Sequence, residues 1–599
     1  MKLDEFWNRR GVALSLLALA LAAFFFFDIG GRNISSPDEG RYIEIPREMV
    51  ETGDYVLPRL DGILYFEKPP LFYWLEASAI KTLGIAEWTM RVWPALLGFL
   101  GCLMTYGVGR RFYGRTAGLV SAAILATTLL YYALARFIII DMLESVTMSA
   151  ALFAFLLSAE EEDEKKALWW ARAGHVAAAL AVLSKGLIGV VLPGGIGLLW
   201  IALTGRWSFV RRALCPSGIL IFLAISVPWH VLAAMRNHDF LWFYFVHEHL
   251  MRFTTEVHRR DGPLWYFVAV LAVGFLPWTG YLWSAAKDAL PSSWKARGEK
   301  PVELFFLLWA AVIFVFFSIS SSKLPPYILP IFPPLALLVA RVIAPRLVAG
   351  QKDAGPIGRF VFAGFFGVLG VAIPIAYSLP SVHMNGNVGP YLDMVKPIVF
   401  AMAAVFVLTA LGALFLPHRF GARGSFISVI VAGVLGWTGV SLVASQADPN
   451  SVKPAAEIIN AYRHHREPVA SFGTFFYDLP VYIDDKIIVV NNTGEFEFGM
   501  TQEDVSQHLM SVEKFSKLWN GPNLMFMVVR TDLFRTWEAN GSPLRMCVIK
   551  RTDRAVALAN YPLFDDKKHM ICDPWYDLED RPDFHPVDPD PQTRHFFVE

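Results

Sequence analysis

The chain has little of what a secreted scaffold, a nucleotide enzyme or a nucleic-acid binder would need. Four cysteines in 599 residues are too few for a disulfide framework. Cys102 and Cys215 fall in or beside apolar runs, and Cys547 and Cys572 share the C-terminal stretch. Lys plus Arg equals Asp plus Glu at 53 each, so the formal net charge of +0 gives no bulk attraction to nucleic acid, and no nucleic-acid partner is expected. No glycine-rich nucleotide loop and no internal repeat are visible. The first apolar run lacks a small-residue cleavage site behind it, and reads as a retained helix rather than a signal peptide.

What is abundant is apolar sequence: 55% hydrophobic residues, a mean hydropathy of +0.43 and 19 Trp. A membrane span needs about 20 apolar residues. Thirteen are expected, over 11–29, 91–109, 115–134, 142–158, 167–183, 186–203, 214–235, 263–285, 303–321, 325–343, 358–380, 394–416 and 425–445. Alternate loops carry Arg110/Arg111/Arg115, Lys165/Lys166/Arg172, Arg206/Arg211/Arg212, Lys295/Arg297/Lys300, Arg341/Arg346/Lys352 and Arg419/Arg423, in phase with Arg9 and Arg10. That face reads as cytoplasmic. The opposite face then receives the 30–90 loop, the 236–262 loop and everything after 445. If that face is an oxidising compartment, Cys547 and Cys572 can pair.

The expected fold is mostly α. It comprises a membrane helix bundle over 1–447, including the 30–90 loop with interfacial helices, and a soluble α/β domain over 448–599. In the loop, Ser36 suits an N-cap, Pro37 the first turn and Glu39 a capping box. Ile43, Ile45, Met49 and Val50 suggest a helix lying on the membrane surface. A second short helix is expected after Pro70, carrying Leu71, Phe72, Trp74 and Leu75. Past Ala447, residues 452–464 read as a helix. Val469–Phe472, Lys486–Val490, Leu524–Val529 and Arg545–Lys550 read as strands, with helices near 502–510 and 531–538. The stretch 573–599, rich in Pro and Asp, reads as irregular.

The chemistry-bearing residues gather on the outer face. Asp38 and Glu39 favour a helix N-terminus by the dipole alone, but Asp38 with Arg41 one turn later also makes a held carboxylate facing a reaction centre. Lys68, in Glu67-Lys68-Pro69-Pro70, is a point-charge partner for phosphate. Arg136 and Asp141 bracket Phe137–Ile140; they either pair with each other or mark a site, since ionisable groups at membrane depth are costly. Lys185, in Ser184-Lys185-Gly186, sits on a connection so short that it should point into a cavity, snorkelling being the alternative. In Phe245-Val246-His247-Glu248-His249-Leu250-Met251-Arg252, Arg252 is a candidate phosphate clamp. His247 with Glu67 forms a weak candidate metal pair. Lys323 and Tyr327 lie in Ser322-Lys323-Leu324-Pro325-Pro326-Tyr327, where Tyr327 also suits an aromatic belt. Cations at Lys68, Lys185, Arg252 and Lys323 stabilise a phosphate leaving group, carboxylates at Asp38 and Asp141 position or deprotonate an acceptor, and apolar helices hold a lipid tail.

These motifs, Ser-Pro-Asp-Glu-Gly-Arg-Tyr with Phe-Glu-Lys-Pro, the Arg…Asp after the third span, Ser-Lys-Gly and Ser-Lys-Leu-Pro-Pro-Tyr-Ile-Leu-Pro, resemble the aminoarabinose transferase family. They do so in order from about residue 11 to 345, and the C-terminal third matches in layout. The family belongs to the GT-C membrane glycosyltransferases, related to protein O-mannosyltransferases. The resemblance implies a polyprenyl-phosphate-dependent pentosyltransferase with undecaprenyl phosphate carrying 4-amino-4-deoxy-L-arabinose as donor and lipid A phosphate as acceptor. It implies inverting transfer at the periplasmic side of a Gram-negative inner membrane, a modification that masks lipid A charge and protects against cationic peptides such as polymyxin. By motif, Asp38 is the central acidic residue, Arg41 and Tyr42 support it, and Lys68, Lys185 and Arg252 hold the donor phosphate. Glu67 and His247 are the candidates for a divalent metal such as zinc, no cofactor being otherwise expected. The chain is expected to act as a monomer, with its N-terminus cytoplasmic and its C-terminal domain periplasmic. The alternatives are transfer of another polyprenyl-linked sugar or transfer to a protein hydroxyl. A lipid or solute transporter is the alternative of another class, although paired halves and broken mid-membrane helices are not visible.

Overall fold

The computed structural model describes residues 12–251, 262–380, 391–447, 451–542, 544–564 and 569–574. Two compact units emerge: one of residues 1–451 with Phe496–Glu503, the other of Val452–Glu495 with 504–599. The soluble part is therefore not one continuous piece from 448, because the segment Phe496–Glu503 packs with the membrane unit.

Among the described residues, nine helices are long and apolar enough to cross a membrane. A bent pair and three shorter apolar helices (Val12–Phe26, Arg115–Thr127, Ile188–Thr204) fall on the remaining expected runs. The expected span 263–285 is broken: the chain bends by 110° between Tyr266–Gly274 and Thr279–Ala289. Pro277 in the break has no N–H to continue a helix, while the Leu276 carbonyl accepts from Leu129 N at 2.9 Å and buried Trp278 donates to Thr127 Oγ1 at 2.8 Å. Ile140–Ala159 and Pro325–Val348 are central, each with 78% of its apolar window buried, against 22% for Phe209–Arg236. The large exposed apolar side chains of the latter, among them Leu220 and Met235, suit contact with acyl chains.

The 30–90 loop is built around Glu39. Its carboxylate is fully buried and accepts from Arg91 at 2.9 and 3.2 Å, Arg32 at 2.8 Å, Ser35 N at 2.9 Å and Ile138 N at 3.1 Å. The helix Asp38–Thr52 that follows has Pro37 at its N-cap with no side-chain cap, so Ser36 and Glu39 do not form the expected capping box. Its apolar and charged residues alike are covered by protein: every residue from Glu39 to Met49 is buried, held by Arg47–Glu44 pairing at 2.7 Å and by Glu48 accepting from Gly62 N at 3.0 Å. Gly53, at φ +72°, stops it and donates back to Met49 O. A small hairpin, β1 (Arg59–Leu60) with β2 (Ile63–Leu64), leads to the helix Leu71–Leu83. Glu503 accepts from Arg59 at 2.8 Å and from Leu64 N at 3.0 Å, and the Phe498 ring stacks on Phe243 at 4.0 Å, which fixes Phe496–Glu503 to this part of the unit.

The second unit is α/β. Among its described residues, seven strands run in the order β5 (Leu509–Met510), β4 (Ile488–Val490), β3 (Val469–Phe472), β6 (Phe526–Arg530), β8 (Ala555–Ala559), β7 (Cys547–Arg551) and β9 (Asp573–Pro574). The β5-β4-β3-β6 half is parallel and the rest antiparallel. β3, β4 and β8 are buried at every position, as strands covered on both faces are. The expected helix at 502–510 is absent. A helix spans Glu497–Gln502, the chain then pairs as β5, and Val512–Trp519 is the next helix. Cys547 and Cys572 form a disulfide.

Candidate active site

Asp141 opens the helix Ile140–Ala159 and Lys185 closes the antiparallel helix Glu164–Lys185, so both stand at the same end of the bundle. Gly186, at φ +85°, reverses the chain straight after Lys185, and a Cβ on Gly189 would lie 2.5 Å from the Ala181 carbonyl carbon. Glycine at both positions is what brings the next helix back so tightly. Lys185 pairs with Asp141, and its ammonium lies 4.8 Å above the Tyr327 ring. Asp141, Glu144, Lys185 and Tyr327 line one cavity. Lys185 thus points into a cavity, as the short connection implied. At the opposite end of the same helices, Arg111, Arg206 and Arg212 pair with Glu161, Glu160 and Glu164.

Arg41 donates to Asp38 at 2.5 Å and to the Tyr65 hydroxyl at 3.0 Å. The Asp38 side chain remains 50% exposed, available to an incoming group. Tyr42 is buried between the Phe72 and Tyr73 rings, at 5.5 and 5.9 Å. Burial first, then Tyr73, Asp141 and Asp38, push its hydroxyl well above the ordinary tyrosine value against the opposing pull of Arg41, so it stays neutral and can donate. That both carboxylates act on Tyr42 puts Asp38 and Asp141 in one electrostatic neighbourhood.

A third group comes from Phe66–Pro69 and from Trp242–Met251, a π-helix, a form frequent at functional sites. Lys68 lies 3.5 Å from Glu248 and 3.9 Å from Glu67, and His247 contacts Glu248 at 3.2 Å. The hydrogen bond with Glu248 raises the His247 pKa. Burial opposes it, and Glu248, Glu67 and Glu497 add to the rise. The buried Tyr244 hydroxyl is raised by burial, then by Glu144 and Glu248, which ties this group to the Lys185 cavity. Among the described residues no three His, Cys, Asp or Glu gather at metal-binding spacing. Lys68 places a positive charge beside Glu67.

Arg252 lies outside the described residues. Arg136 does not pair with Asp141; it donates to the Phe25 and Asp28 carbonyls at 3.1 and 2.8 Å and anchors the first helix. Lys323, on the connection after the helix Pro301–Ile319, is buried and donates to Ser320 O at 2.7 Å, while Tyr327, in the short helix Pro325–Ile331 that follows, reaches Lys185. The residues missed from sequence are Glu144, Ser184 and Glu248. Glu144 stands one turn after Asp141 on an otherwise apolar helix, a spacing that could have marked it. The arrangement joins cations able to hold a phosphate, half-exposed Asp38 and a neutral Tyr42 donor.

A family model described as dolichyl-phosphate-mannose-protein mannosyltransferase matches residues 15–245, which contain Asp38, Lys68, Asp141 and Lys185. Another, described as aminoarabinose transferase C-terminal domain, matches 455–560, so the C-terminal third carries more than a shared layout. The chain is 28% identical over 517 residues to the undecaprenyl phosphate-alpha-4-amino-4-deoxy-L-arabinose arabinosyl transferase of Edwardsiella ictaluri, covering 83% of this chain and 89% of that one. With the enzyme of the same description from Pectobacterium carotovorum it is 31% identical over 378 residues, covering 62% and 67%. Its structure is similar to the crystal structure of ArnT from Cupriavidus metallidurans bound to undecaprenyl phosphate, with a TM-score of 0.79, 30% identity, and 92% of this chain and 98% of that one covered. The chain is a multi-pass membrane glycosyltransferase of the GT-C fold, and it belongs to the aminoarabinose transferase family.

Proposed function

We infer that this chain transfers 4-amino-4-deoxy-L-arabinose from undecaprenyl phosphate to a lipid A phosphate, with inversion, at the periplasmic side of the inner membrane. What supports the reading most is the likeness, over nearly the whole length of both chains, to a transferase crystallised with undecaprenyl phosphate. The acceptor oxygen attacks the anomeric carbon, the bond from that carbon to the phosphate oxygen breaks, and undecaprenyl phosphate leaves with the electron pair. Lys68 and Lys185, with Arg252 as read from the sequence, offset the charge on that leaving group. A lipid A phosphate is already anionic near neutral pH, so Asp38 orients the acceptor or stabilises positive charge at the anomeric carbon. A protein hydroxyl as acceptor would instead need Asp38 as base.

The test is the full chain in nanodiscs with the labelled aminoarabinose donor and lipid A, with and without a zinc chelator. Label appearing in lipid A with release of undecaprenyl phosphate is expected. No transfer from this donor, with transfer from another polyprenyl-linked sugar or to a protein hydroxyl, would overturn the assignment. Loss of turnover on chelation and its return with zinc alone would assign Glu67 and His247 a metal.

A further inference from the structure

Glu144 has no part in the transfer just outlined. It is 2% exposed, one turn beyond Asp141, and lines the cavity shared with Lys185 and Tyr327. One carboxylate oxygen accepts from the Ser184 hydroxyl at 2.5 Å, while the other, Oε1, is buried with no hydrogen-bond partner. A buried acceptor left unmade is costly, and more so at membrane depth. The charges point the same way. Lys185 makes its ion pair with Asp141, and among the described residues no cation is paired with Glu144. The cavity therefore holds two carboxylates around one ammonium. Lys185 remains the partner of the donor phosphate in the transfer outlined above, and a small cation bearing N–H donors satisfies both the free oxygen and the charge of Glu144.

We propose that Glu144 is the residue that recognises the donor sugar's amino group, its Oε1 accepting a hydrogen bond from the protonated amine at the 4-position. Ser184 holds the other oxygen and sets the direction of the carboxylate. This rests on the aminoarabinose reading, and adds to it where the charge that distinguishes this sugar from a neutral pentose is read. A site built to bind a charged donor rejects an analogue lacking it, because its own buried charge is then left unmatched.

The experiment uses the full chain in nanodiscs, lipid A as acceptor, and two donors: undecaprenyl phosphate bearing the 4-amino sugar, and the same donor with its amine acetylated to a neutral amide. Wild type is expected to favour the amine in kcat/KM. In E144Q the ratio between the donors should fall by about tenfold to a hundredfold, the range of a hydrogen bond to a charged group, with KM for the amine donor rising. E144D, which keeps the charge and shortens its reach, should fall between the two. An E144Q ratio equal to wild type, or an equal loss on both donors, would overturn the proposal. If E144Q does not fold, a wild-type ratio in E144D does so. A wild type that uses neither donor but another sugar overturns the aminoarabinose reading and this proposal with it, and is seen before any variant is made.

Discussion

Asp38 and Glu39 are neighbours in the chain with different surroundings: one side chain is 50% exposed beside Arg41, the other is fully buried among Arg32, Arg91 and two backbone amides. Asp38→Asn keeps the shape and should leave the fold intact while lowering transfer by about 10²–10⁴-fold, the weight of a positioned acid or base; normal turnover with normal thermal stability would reduce Asp38 to a helix-end charge. Glu39→Ala leaves buried guanidinium groups uncompensated and should cost about 3–5 kcal/mol of stability. Burial raises the Glu39 pKa, but Arg91 and Arg32 outweigh it and the net shift is downward from 4.5. Its stabilisation is thus present above about pH 4.5 and lost as pH falls through the depressed value; unfolding temperature against pH in wild type and variant would reveal an acid limb confined to wild type. His247 has the opposite sign. Its pKa is raised from 6.5, chiefly by Glu248, so the stabilisation from that pair is complete below pH 6.5 and fades as pH rises through the raised value. His247→Gln should flatten that alkaline limb, and an unchanged limb would show that the pair contributes nothing.

At the scale of elements, the reversal Ser184-Lys185-Gly186 shows how a short connection turns a cation into a cavity. A β-branched residue at Gly186 meets a backbone at φ +85°, which L side chains rarely adopt. Gly186→Val should therefore shift Lys185 and lower transfer at least tenfold, the order expected when a positioned group is misplaced by about an ångström. Retained kcat/KM would mean that the turn does not place Lys185. The apolar runs were legible because length and hydropathy alone select spans. The buried Asp38–Thr52 helix was not, because what covers it comes from far along the chain. Arg91 reaches Glu39 across 52 residues and Ile138 N reaches it across 99, while the local pattern suggested a capping box and a helix with one apolar face. β8 escaped notice for another reason. Ala555-Val-Ala-Leu-Ala is poor in the residues that favour strands, yet it is a central strand because both β6 and β7 pair with it. The site was legible wherever a charge interrupted an apolar run, as at Asp141 and Lys185. It was hidden where a charge stood beside one already noticed, as at Glu144 and Glu248.

At the scale of the whole molecule, one chain supplies a membrane unit with the candidate site and a separate α/β unit closed by the Cys547–Cys572 disulfide. The bridge spans 25 residues, and loops of that size contribute about 2–4 kcal/mol, largely by restricting the unfolded chain. Cys547→Ser should lower the unfolding free energy of the α/β unit by about that amount; two free thiols at these positions in the intact mass of wild type would remove the argument. The central claim, that Asp38 and the Lys68 and Lys185 cations make this chain an aminoarabinose transferase acting on lipid A, is tested most directly in cells. The measurement is lipid A mass spectrometry from a susceptible Gram-negative host lacking its own transferase, with the donor pathway switched on, carrying wild type or Asp38→Asn. The account predicts an added aminopentose mass with wild type that is lost in the variant. Lipid A of unchanged mass with wild type present would contradict it.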